Sequence, residues 1–312
     1  MATGLDVSAL NDFNNEVAGE LLVKSVYGGS TMEYITVKEG VKHQEPINLM
    51  EVDLVLQNGT CVTTPSGSLT YTQRNITVCP RTSFDGICLK DMDKKYLGIA
   101  ELEPGSYNET FKMASAYSEL LVNQFQKSND QYLWQAVSGS AGGGSGVDGS
   151  CTGNGLKVII SGSTAGVEVT GSADATLANM DVMIAALSSD VADRDDLTFF
   201  MSVSKFRQFV SNVRSANSFY FDPAAISNRG GILEMAYPFQ NIKVVGTVGL
   251  QGSNRIVLGP AKQIVAGTDL MSDFSEFQLW YDINTDQLRH RISTKLGVNI
   301  AFPEFWVSND QA

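Results

Sequence analysis

The chain has 312 residues, 43% of them hydrophobic, with a formal net charge of -12. That is enough apolar material for a substantial core, and the wrong sign for a surface that grips phosphate, which shows as a basic patch. No run approaches the roughly 18 apolar residues of a membrane helix, and Met1 to Asn15 lacks the basic end and apolar stretch of an export signal, so a soluble protein is expected.

Taken in order, residues 5 to 25 carry Leu10, Phe13, Val17 and Leu21 at helical spacing, and Gly28-Gly29 stops the pattern. From Thr31 to about Leu97 the character changes to short strands and turns. Met32, Tyr34, Ile35 and Val37 give one apolar stretch and Leu49 to Leu56 another. Asn58-Gly59 and Pro65 to Ser68 are turn signals, and Leu69 to Val78 is a Thr-rich strand. This stretch has too little to bury to stand alone, since hairpins are marginal in water, and is expected to lie on another subunit. Phe84 to Leu97 reads as a turn entering a short helix. Ser106 with Glu109 forms a capping box. Phe111, Ala114, Tyr117, Leu121 and Phe125 follow, continuing toward Val137 as a helix of about 30 residues, roughly 45 Å.

Ser138 to Gly155 is rich in glycine and serine but has no G-x-x-x-x-G-K-[ST] motif, so it reads as a flexible connection. The apolar run Val158 to Ile160 follows, then Val167 and Val169. Asp174 is placed to cap a helix with Leu177, Met180, Ile184 and Leu187 on one face; Leu197 to Met201 is a buried strand; Ser202 caps a helix with Phe206, Phe209 and Val213 inward. Short strands are expected at Ile242 to Val245, Arg255 to Leu258 and Ile264 to Val265. Phe277 to Tyr281 and Leu288 to Ile292 alternate across the Asn284-Thr285-Asp286 turn, and Val298 to Phe302 forms a final strand.

Residues that could carry chemistry do not converge. Cys61, Cys79, Cys88 and Cys151 are too sparse for a disulfide framework or a zinc site, and are expected as buried thiols, with a Cys79–Cys88 bridge only in an oxidising setting. Of the two histidines, His290 alternates with Leu288 and Ile292 as a sheet residue, and His43 sits in a polar loop. No G-x-S-x-G elbow occurs. Asp190, Asp193, Asp195 and Asp196 read as a solvated turn, and the N-x-T triplets at Asn58, Asn75 and Asn108 as chance. No catalytic, cofactor-binding or metal residue is assigned, no cofactor is expected, and an enzyme is not. Charged residues are only 18% of the chain, below the ~25% of ordinary domains. Either a neutral Ser/Thr/Asn/Gly surface or one covered by sister copies produces that value.

The order of these parts resembles the major capsid proteins of tailed bacteriophages, an α+β fold of the Hong Kong 97 type. That family has an N-terminal arm, an extended hairpin loop, a peripheral domain with a long spine helix, an apical α/β domain and last strands that return to the peripheral domain. Here the parts fall at 1–27, 28–103, 104–172 (with the Gly/Ser-rich loop), 173–272 and 273–312. The run MDVMIAALSSDVADRDDLTFFMSVSKFRQFVSNV (Met180 to Val213) looks like the apical helices flanking a central strand. PFQNIKVVGTVGL (Pro238 to Leu250) is similar to the strand after the apical loop. GTDLMSDFSEF (Gly267 to Phe277) and KLGVNIAFPEFWV (Lys295 to Val307) resemble the final hairpin and closing strand.

The resemblance implies a structural protein of the virion, assembled in the host cytoplasm from hexamers and pentamers of itself into an icosahedral head. It further implies that the head encloses double-stranded DNA without sequence-specific binding. A portal protein, a separate scaffolding protein and, where present, decoration or head-stabilising proteins are the implied partners, with no membrane. The type member cross-links a loop Lys to a neighbour's Asn; Lys38, Lys42, Lys90, Lys94 and Lys95 lie in the matching region, but none sits in a matching motif and none is assigned. An encapsulin-type nanocompartment shell shares the fold and is the alternative. A secreted adhesin or surface-layer domain, suggested by low charge and abundant Thr, Ser and Gly, needs an export signal.

Overall fold

The computed structural model describes residues 31–59, 66–88, 153–161, 166–170, 174–216, 240–269 and 287–309, together with parts of 121–137, 140–149, 226–238 and 278–285, and residue 311. The expected helix over 5–25 and the capping box at Ser106 and Glu109 lie outside the described residues. Helical residues 127–135, called α1 below, stand where the far end of the long helix is expected.

In chain order the strands are β1 (Thr36–Lys38), β2 (Gln44–Asp53), β3 (Ser68–Thr77), β4 (Cys79–Cys88), β5 (Ser140–Gly143), β6 (Val147–Gly149), β7 (Val167–Val169), β8 (Leu197–Ser202), β9 (Ser227–Arg229), β10 (Ile232–Ala236), β11 (Lys243–Thr247), β12 (Val257–Pro260), β13 (Ile264–Thr268), β14 (Gln278–Asp282), β15 (Gln287–Ile300) and β16 (Val307–Asn309). After α1 the helices are α2 (Leu156–Ser161), α3 (Leu177–Ala185) and α4 (Val203–Ala216). The fold is α+β.

A seven-stranded sheet has the order β7-β16-β12-β8-β11-β10-β9. At its centre β8 runs parallel to β11 and antiparallel to β12. Its sequence LTFFMS is buried at every position, as expected of a strand covered on both faces. Leu197, Phe199 and Met201 pack under α3 and α4 with Met180, Met183, Phe206, Phe209 and Val213. Phe200 faces the other way, into a second core with Leu133, Trp134, Leu156, Ile160 and Trp306. A parallel pair requires a crossover, and α4 lies in the one from β8 to β11. Its start matches the sequence: the Ser202 hydroxyl accepts from the Lys205 N–H at 3.4 Å. The cap of α3 is Thr176, not Asp174: its hydroxyl accepts from the Asn179 N–H at 3.3 Å. The Asp174 carboxylate instead accepts from Gln208 at 2.8 Å, tying the start of α3 to α4.

The second sheet is built around β15. It has β13 and β14 on one side and β4 on the other, and β1 extends it beyond β13. Two sequence expectations change here. Leu288 to Ile292 and Val298 to Ile300 belong to one 14-residue strand, and Gly297 does not break it: a Cβ there would come 2.1 Å from the Thr77 carbonyl oxygen, so this glycine permits close approach. Phe84 to Cys88, read as a turn, continues β4 because β15 pairs with it as far as Gln287↔Cys88. The chain passes from β13's sheet to the seven-stranded one through the 3-10 turn Pro303–Phe305, having crossed the other way at Ala261–Gln263.

Three smaller differences follow. The Val158 to Ile160 run is part of helix α2, which buries Leu156 and Ile160 one turn apart; an apolar run this short suits helix and strand equally. The Gly/Ser-rich stretch contains the two-stranded β5–β6 pair. Cys79 is disulfide-bonded rather than a free thiol, and its partner is not Cys88. Both lie on β4, so their backbones are about 30 Å apart at ~3.4 Å per residue, against the ~7 Å a disulfide spans.

Candidate assembly surface

Among the described residues, the part least explained by its own packing is the β2–β3 hairpin, a sheet of two strands. Ten paired residues in each strand make a ribbon about 34 Å long. Its base is anchored: Ile76 and Val78 are buried with Val41, against Ile47 and Val265. Beyond Leu49 that support ends.

In the distal half the register sets Met50 opposite Tyr71 and Val52 opposite Leu69. Residues two apart share a face, so these four side chains form one apolar stripe. Met50 is 57% exposed, Val52 59%, Leu69 54% and Tyr71 69%; Leu54, Val55 and Leu56 beyond the ribbon's end are exposed too, Leu56 at 87%. The opposite face is polar, with Glu51 against Thr70 and Asp53 against Ser68. The hairpin is therefore amphipathic without a body to lie on. The sequence does carry a signal for this: from Met50 to Leu56 apolar residues recur at every second position. Alternation reveals two unlike faces, but not whether anything covers the apolar one.

A second exposed group lies on the sheet of β15. Phe84 is 6.0 Å from the Trp280 ring, and the Arg289 guanidinium sits 5.7 Å from the Phe84 centroid while pairing with Asp282 at 3.2 Å. Cation–π pairing of this kind keeps an exposed aromatic ring in place.

The residues with chemical potential are held in structural roles. His290 is buried, opposite Asp85 in the β4–β15 ladder and 3.4 Å from the Ser83 hydroxyl. Burial pushes its pKa below the usual imidazole value, and Asp85 acts against that. Ser83, Asp85 and His290 thus share a neighbourhood, but on a ladder whose backbone groups are occupied by strand pairing. His43 is exposed, and its carbonyl accepts from the Val78 N–H. In the acidic loop Asp196 accepts twice from Arg194, both at 2.8 Å, and this pairing holds its carboxyl below the usual range; Asp190 bonds Ser188. Among the described residues no three acidic, Cys or His side chains gather as a metal site. Lys38 pairs with Glu45, Lys42 is exposed, and Lys90, Lys94 and Lys95 lie outside the described residues.

This two-sheet body with a projecting ribbon matches solved structures over most of its length. The capsid of an empty GTA particle aligns at a TM-score of 0.53, covering 90% of this chain and 89% of that one at 9% identity. The fold is that of Hong Kong 97-type phage capsids. The capsid-fold match extends to the satellite phage P4 procapsid, which includes a size-determination (Sid) protein, at a TM-score of 0.53, 9% identity and coverage of 99% and 91%. It extends also to Gordonia phage Cozz, at a TM-score of 0.54, 9% identity and coverage of 90% and 85%. No protein-family model matches the chain, and no curated protein does. At such identities the likeness is one of fold.

Proposed function

We propose that this chain is the major structural subunit of a tailed-phage head, a self-assembling shell protein and not an enzyme. The observation that carries the reading is the exposed apolar stripe Met50–Val52–Leu69–Tyr71 on a ribbon that its own body leaves bare. A monomer rarely leaves such a surface uncovered unless a partner takes it, and strands that among the described residues pair only with each other add to the demand. A sister copy fits best, because copies related by rotation cover one another's ribbons in turn and close into rings of six and five. Burial at ~25 cal/mol per Å² then makes each contact modest and their sum large. The net charge of -12 suits a container wall, which should repel packed DNA rather than adsorb it.

The same proposal includes the five-part division at 1–27, 28–103, 104–172, 173–272 and 273–312, assembly in the host cytoplasm, and portal and separate scaffolding proteins as partners. The capsids named above come from phage and GTA particles, which favours this reading over a cargo-holding nanocompartment. An adhesin has no support in the fold.

The test is assembly. Overexpressed chain should give closed shells or hexameric rings under the electron microscope. Replacing Met50, Val52, Leu69 and Tyr71 together by Ser should leave a folded subunit with an unchanged circular dichroism spectrum that sediments as a small species. Normal shells from that variant would overturn the role given to the ribbon. A wild-type chain that stays monomeric at high concentration, with residues 50–56 protected from hydrogen exchange, would overturn the shell reading.

A further inference from the structure

The two sheets meet at a buried polar junction that neither strand pairing nor the assembly ribbon explains. Its centre is Asp130 on α1, buried with Thr31, Trp134 and Thr247. One carboxylate oxygen accepts from the Thr31 N–H at 3.3 Å; the other accepts from the Thr247 hydroxyl at 2.7 Å and the Gly249 N–H at 2.9 Å. The Thr31 and Thr247 hydroxyls are 3.1 Å apart, and the Trp134 indole N–H donates to Thr31 Oγ1 at 2.9 Å.

The directions of these bonds are fixed by chemistry. An indole N–H only donates, and Thr247 gives its one hydroxyl hydrogen to Asp130, so the Thr31 hydroxyl must donate to Thr247 and the bonds all point one way: Trp134 to Thr31 to Thr247 to Asp130. Bonds in such a chain polarise one another, and a low-dielectric setting makes losing one costly. The relay links three separate pieces of the chain. Thr31 lies just before β1, in the sheet of β15. Thr247 and Gly249 close β11, in the seven-stranded sheet. Asp130 and Trp134 belong to α1 between them. Gln135 reinforces the joint by donating to the Gly249 carbonyl at 2.6 Å and the Gln251 carbonyl at 3.0 Å. Gly249 is needed there: a Cβ would fall 2.2 Å from the Trp134 ring and 2.6 Å from the Asp130 carbonyl. Tyr34 makes a parallel link, donating to Glu234 on β10 at 2.5 Å.

We propose that this relay is a clasp that sets the angle between the two sheets, with Asp130 and Thr247 as its positioning residues. The short crossings at Ala261–Gln263 and Pro303–Phe305 join the sheets covalently but constrain their angle little, since each is a single turn. The sheets also share an apolar core, in which Phe200 and Val245 of one lie with Ala266 and Val298 of the other; such packing is non-directional, and the clasp adds directional bonds to it. On the shell reading, on which this last step rests, that angle is the shape each copy brings to its ring, and releasing it spoils uniform closure.

The experiment uses the full chain, with hydrogen exchange followed by mass spectrometry. Thr247→Val keeps the side-chain shape but interrupts the relay; Thr247→Ser keeps the hydroxyl. In T247V, exchange in residues 31–35 and 248–251 should rise at least tenfold while β8 stays as protected as in wild type, and T247S should match wild type. Unchanged exchange in T247V, or a rise in β8 equal to that at the junction, overturns the clasp. If T247V does not fold, Thr31→Val, which removes a single hydroxyl, is read by the same criteria. Shells are scored separately: T247V should give mixed sizes or none where wild type gives one size. Uniform shells from a chain with raised junction exchange would end the link to closure, whereas absence of shells from wild type counts against the shell reading and leaves the exchange result to decide the clasp.

Discussion

Gly259 shows how closely single residues determine this core. It lies in β12 directly against Trp306, where a Cβ would come 2.4 Å from the indole ring. Trp306 is itself buried, stacked at 6.5 Å from Phe200. Gly259→Ala forces that ring out of place, and overpacking of this type costs about 1–3 kcal/mol. The expected result is a lower urea midpoint with an unchanged slope, because the stability changes and the surface exposed on unfolding does not. Nothing in Val257 to Pro260 reveals this in advance. The sequence Leu-Gly-Pro reads as a strand ending, and only the distant Trp306 explains why a glycine continues one. Ser202, in contrast, is legible because its reason is local: the hydroxyl caps the helix that begins at the next residue.

At the scale of elements, legibility follows how far away the partner is. Strand β8 is visible as an unbroken apolar run, and α4 through Phe206, Phe209 and Val213 at helical spacing. The length of β15 is not, since its continuity past Gly297 depends on Thr77 of β3. The candidate site was half legible. The hairpin follows from its turn signals, yet the bareness of its apolar face is a property of the surroundings. The β4–β15 ladder leads to a pH effect at His290. Burial holds the imidazole neutral in the folded chain, so as pH falls below the ordinary value of 6.5 the unfolded chain takes up a proton that the folded chain resists. Stability should therefore decline from pH 7 toward pH 5 and level off once the folded imidazole also protonates. Denaturation at several pH values should show that decline reduced in His290→Gln; an identical decline in both chains would place its origin elsewhere.

For the whole molecule, the order of the chain through its two sheets has a mechanical result. The polypeptide enters the sheet of β15 at Ala261–Gln263 and leaves it at Pro303–Phe305, and β16 then pairs with β12 and β7. A protease nick after Ala301 would detach the segment that follows, yet leave it docked, because Trp306 and Val307 remain buried in the two cores. Cleaved protein should thus migrate as one body on a native gel and lose the fragment only in denaturant. Residues 306–309 act as a plug, and a chain without them would lack the side chain that fills the space over Gly259.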